Sequence, residues 1–108
     1  MSQFAVYRVK DQTKTPWQLS YYEVLEQKIP IKEQDYQLIY LKQAKEWKNA
    51  MEIWKHLQDT VKISDVLTIN QNGEVSAFYV DADGPHKISG FFNLVSDGRV
   101  IATDTKDY

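Results

Sequence analysis

Few residues in this sequence carry the side chains that catalysis needs. The densest group is Asp81-Ala82-Asp83-Gly84-Pro85-His86, with two carboxylates and an imidazole inside six positions. Its first four residues resemble the opening of a calcium loop. Such a loop also needs an oxygen ligand at position 5, glycine at position 6 and a bidentate glutamate at position 12. Counting from Asp81, those positions hold Pro85, His86 and Phe92. Imidazole and carboxylates can hold a transition metal. Here, however, Asp-Gly-Pro reads as a turn between two strands, and no metal or cofactor is expected.

Nucleophilic chemistry finds little material. Serines stand at positions 2, 20, 64, 76, 89 and 96, and none lies in a Gly-x-Ser-x-Gly elbow. His56 and His86 have the titration range of a general base, but neither has a nucleophile placed beside it in sequence. There is no cysteine, which removes thiolates, disulfides and Cys-ligated metals. Four scattered glycines form neither a phosphate loop nor a dinucleotide fingerprint. These absences predict a protein that is not an enzyme.

Charge suggests a surface that acts by contact. The chain has 13 basic and 15 acidic residues, net −2, too little positive charge for a general nucleic-acid binder. The balance is uneven: residues 1–54 hold eight basic and seven acidic groups, residues 55–108 five and eight. An acidic face in the second half would meet a basic partner, and Asp81, Asp83, Asp97, Asp104 and Asp107 are its expected contacts. The alternative is nucleic-acid binding through Lys42, Lys45, Lys48 and Lys55, interleaved with Trp47 and Trp54. Lysines would meet phosphates and rings would stack on bases. Helical spacing works against it, turning the tryptophans away from most of the lysines.

The elements that must hold these groups follow from periodicity. Gln3 to Val9 is apolar on both alternating sides, which predicts an interior strand covered on both faces. Ser20 and Glu23 form a capping box, predicting a helix from about Tyr21 to Lys28 that Pro30 ends. Tyr36 to Leu41 reads as a strand. Gln43 to Gln58 reads as a second helix, with Trp47, Ala50, Met51, Trp54 and Leu57 as its core stripe, and Lys48–Glu52 and Lys55–Asp59 as outer pairs. Val66 to Ile69 and Glu74 to Val80 flank Asn72-Gly73, a strong hairpin signal. A second hairpin is expected from Lys87–Val95 and Arg99–Thr103 around Asp97-Gly98. The fold class is α+β: two helices packed on a mainly antiparallel sheet of about five or six strands, in the order β-α-β-α-β-β-β-β.

A length of 108 residues predicts one domain, 1–108. Aromatics at 13% supply the bulk for a core at this size. Met1 to Arg8 lacks a basic leader and a long apolar run, so no signal peptide is expected. With no apolar run long enough to span a bilayer, the expected setting is cytoplasmic and off the membrane.

Several pieces then align with a known pattern. They are Phe4-Ala5-Val6-Tyr7-Arg8-Val9-Lys10, Asp35-Tyr36-Gln37-Leu38-Ile39-Tyr40, Ile63-Ser64-Asp65-Val66 through Gln71-Asn72-Gly73, Ala77-Phe78-Tyr79-Val80-Asp81, Gly84 and Phe91-Phe92. In this order and spacing they resemble the YodL-like domain over about residues 4–92, leaving 93–108 as a C-terminal strand and tail. The family has no established catalytic residues to carry over. It occurs on conjugative elements, plasmids and phages of Gram-positive bacteria. That setting implies a small anti-defence protein, of anti-restriction or anti-CRISPR type. Its partner would be a Cas9-type or other host defence nuclease, bound by occlusion. An accessory role in conjugation or replication is the nucleic-acid alternative.

Overall fold

The structure, a computed structural model, describes residues 2–43, 49–71 and 73–92. Strand β1 (Ser2–Val9) leads through a polar loop to helix α1 (Tyr21–Gln27). A 3₁₀ turn at Glu33–Asp35 precedes β2 (Tyr36–Gln43). Helix α2 (Ala50–His56) follows, then β3 (Val66–Gln71), β4 (Glu74–Asp81) and β5 (Gly84–Ile88). The five strands form one antiparallel sheet in the order β2-β1-β3-β4-β5. The α+β class and the strand-helix order therefore hold through β4.

Strand alternation divides the core in two. Phe4, Val6, Leu67, Ile69 and Val80 project to one face, where Ala50, Ile53 and Leu57 of α2 cover them. Val9, Val66, Ala77 and Tyr79 project to the other, against Val24 of α1, Tyr36 and Phe91. The helices thus lie on opposite faces. This is the physical reason that β1 and β3 are apolar at successive positions: both sides of each are sealed. Val6 and Val66 are fully buried, on opposite faces.

Helix α1 begins where its sequence predicts. The Ser20 side chain accepts from the Glu23 N–H, and the Glu23 carboxylate accepts from the Ser20 N–H. Lys28 closes the helix in the left-handed conformation.

Helix α2 differs from expectation. It starts at Ala50, capped by Asn49 accepting from the Glu52 N–H at 2.9 Å, and Gln43, the first residue assigned to it, is the last of β2. An edge strand open to solvent needs no apolar alternation, so its polar end imitated a helix entry. The core stripe also shifts: Ile53 is 1% exposed while Met51 is 41% exposed. Trp47 and Lys48 lie outside the described residues. Lys55 and Asp59 are both exposed, and Asp59 lies in the turn after the helix rather than on it.

The last strand differs too. A strand was expected from Lys87 to Val95, but β5 is Gly84–Ile88 and returns directly along β4 from a two-residue loop, Ala82-Asp83. The Asp97-Gly98 hairpin and the final strand lie outside the described residues.

Candidate binding surfaces

A bidentate ion pair lies under the sheet end. Arg8 continues the α2-side row of β1 beyond Phe4 and Val6 and meets Asp65, whose side chain is fully buried. The contact is bidentate: Nε donates to Oδ1 at 2.9 Å and Nη2 to Oδ2 at 2.7 Å. Nη2 also donates to the Thr60 carbonyl, and the Lys62 N–H donates to Asp65 Oδ2. Asp65's hydrogen bonds raise the Arg8 pKa, and burial opposes that shift.

Ser64, also fully buried, sits at φ +85°, and its Oγ accepts from the Gln18 N–H at 2.9 Å. Its carbonyl accepts from Tyr36 Oη at 2.8 Å, and Tyr79 Oη donates to the Leu19 carbonyl at 2.7 Å. Burial pushes both phenols well above their ordinary value. Ser64-Asp65 thus ties the loop before α1, β1, β2 and β3 together. These groups are held by the fold, with Ser64 Oγ already engaged.

The β4–β5 loop brings three expected residues together. Ligand atoms of Asp81, Asp83 and His86 all lie within 4.8 Å of one another. His86 Nε2 is 2.7 Å from Asp83 Oδ1, and its ring stacks on Tyr21 with centroids 4.3 Å apart. Asp81 is nevertheless structural: it is buried, Oδ2 accepts from the Tyr21 N–H at 2.9 Å and Oδ1 from the Ala82 N–H at 2.7 Å. It fastens the hairpin to the first turn of α1, and each of its oxygens already has a donor.

Of the five aspartates expected to face a partner, only Asp83 is an exposed side chain of the described structure, at 60% exposure. Asp97, Asp104 and Asp107 lie outside the described residues. Of the four lysines in the nucleic-acid alternative, Lys42 is the penultimate residue of β2 and Lys55 lies in the last turn of α2, both exposed. Lys45 and Lys48 lie outside the described residues. Trp54 is half-buried against the core, so its ring is not a free stacking platform. His56 is exposed in the last turn of α2.

Sequence reading missed the edge of the sheet. β2 is the outermost strand beside β1, and among the described residues no strand lies on its far side. Leu38, Ile39 and Leu41 are 49%, 37% and 53% exposed. A bulge at Ile39 shifts the register between Val6↔Tyr40 and Tyr7↔Leu38. The signal was present as an apolar run without a second covered face, but only the strand order shows that β2 is an edge.

No described helix is long and apolar enough to cross a membrane. What the fold and these surfaces define is a small α+β domain, its five-stranded antiparallel sheet covered by one helix on each face. The chain belongs to the YodL-like domain family, whose model matches residues 3–91. No curated protein and no solved structure matches it.

Proposed function

We propose that this YodL-like domain is a non-enzymatic module that binds another protein, and that β2 is its docking strand. One observation carries the reading: an eight-residue edge with three exposed aliphatic side chains. Edge strands normally discourage pairing by being short, charged or proline-bearing. β2 has no proline and one lysine, and among the described residues no strand pairs with its outer side, about 26 Å long at ~3.3 Å per residue. The occupant is an extended segment of the partner, added as a sixth strand, with Leu38 and Leu41 contacting its side chains.

The mobile-element setting suggested by the family resemblance supports a more specific form. The domain would inhibit a host defence nuclease, of Cas9 or restriction type, by occupying a surface that the nuclease needs for nucleic acid. Purified domain mixed with candidate nucleases should give a stoichiometric complex on size exclusion and a stoichiometric loss of cleavage. A complex that survives Leu38→Lys/Leu41→Lys unchanged would remove β2 as the docking strand. Catalytic inhibition at far below one equivalent would refute occlusion.

A further inference from the structure

At the opposite side of the sheet from β2, a groove of about 530 Å³ runs between α1 and the end of β5. That size lies within the ~300–1,000 Å³ common for ligand sites. Its apolar lining includes Val24 and Tyr79, which are buried, and the half-buried Ile29 and Ile88. Among the described lining residues the charged side chains facing it are Lys28 and Lys32, with no Asp or Glu, while Lys87, in the opposite row from Ile88, contributes its backbone. In a chain of net charge −2, two lysines beside an apolar trough, with no carboxylate among its described lining residues, mark a local reversal of sign.

We infer that this groove binds a short acidic segment of a partner protein, an aliphatic side chain seated in the trough and carboxylates meeting Lys28 and Lys32. The backbone supports an extended occupant. The two-residue loop makes Asp81↔Gly84 the hydrogen-bonded pair, so by alternation Lys87 turns its N–H and C=O away from β4. Pro85 has no N–H to offer and limits strand addition to the Lys87 end. Recognition therefore rests on side chains and charge with one backbone contact, unlike the pairing proposed for β2. The two surfaces stand or fall independently.

The test uses a fluorescein-labelled octapeptide of alternating glutamate and valine, titrated into the ¹⁵N-labelled chain at low salt. The expected result is amide shifts confined to Val24–Lys32 and Lys87–Gly90, with binding that weakens as salt rises. The double variant Lys28→Glu/Lys32→Glu reverses the two cations that line the groove; it should keep the native spectrum elsewhere and bind at least about tenfold more weakly. Equal binding of a lysine–valine octapeptide, or no shift in these segments at millimolar peptide, overturns the inference. Complete displacement of the peptide by octanoate, with the same shifts, would assign the groove to small amphiphilic anions and overturn the peptide occupant.

Discussion

Arg8 and Asp65 form an asymmetric pair, and the asymmetry predicts which partner matters more. The Asp65 side chain is fully buried, while Arg8 is 18% exposed and reaches water. Removing Arg8 strands a buried carboxylate, a change that typically costs about 3–5 kcal/mol. Asp65→Asn keeps an acceptor for the Lys62 N–H and leaves a partly hydrated guanidinium, so it should cost less. Arg8→Lys should recover only part of the loss, because an ammonium cannot make the fork contact. Urea denaturation of the three variants checks the ranking; equal losses for Arg8→Ala and Asp65→Asn would show that water reaches Asp65. Tyr36 and Tyr79 set a second residue-scale expectation. Burial raises both phenol pKa values above the ordinary 10.0, so the folded state holds these protons more tightly than the unfolded chain. Their contribution is complete below about pH 10 and is lost as pH rises past it. The urea midpoint should stay level from pH 7 to 9 and then fall. Tyr36→Phe/Tyr79→Phe should lower it at pH 8, by about 1 kcal/mol per lost hydrogen bond, and flatten the alkaline fall. An equally steep fall in the double variant would assign alkaline unfolding to other groups.

Individual elements show how much of the fold the sequence contains. The capping box of α1 is local, three residues apart, and it was readable because nothing distant is needed to form it. Ser20→Ala should lower stability by about 1 kcal/mol, measured as a shift in urea midpoint. β1 was readable as a strand sealed on both sides because both alternating rows are apolar. Gln43 was assigned to the second helix because β2, lying at the edge, ends in Lys42-Gln43 without a strand pattern. β5 was misread because Gly84-Pro85 carries turn chemistry yet begins a strand. Gly84 is needed there. Its φ is +128°, and an added Cβ would stand 3.0 Å from Met51 Cε and 3.8 Å from Trp54 Cε3. Met51 can give way, but the backbone cannot, so Gly84→Ala should destabilise by about 1–3 kcal/mol. Thermal unfolding measures it, and a neutral result would mean that the hairpin relaxes to negative φ. The candidate surfaces were less legible than the elements. Arg8 and Asp65 are 57 residues apart in sequence, so no local pattern joins them. Asp81 looks like a surface acid until α1 is placed beside it.

Across the whole molecule, the two sheet edges are unlike. β5 has five residues, carries Pro85 and has α2 packed near its start through Met51 and Trp54 against Gly84. β2 has eight residues, and its exposed side chains include Leu38, Ile39 and Leu41. Both faces of the sheet are already covered by helices, so a partner strand finds open ladder positions along β2 more readily than anywhere on the faces. Stability and association should therefore separate. Leu38 and Leu41 are about half exposed and contribute little to either core cluster, so Leu38→Lys/Leu41→Lys should change unfolding free energy by no more than about 0.5 kcal/mol per site. The same pair places two cations along the edge and should abolish complex formation with a protein partner, read by size exclusion at matched concentrations. Lys55→Glu, on the exposed face of α2, is the control and should leave both quantities unchanged. If the leucine pair lowers stability by several kcal/mol, Leu38 and Leu41 are packed rather than open, because side chains that dock a partner must be dispensable to the fold that presents them.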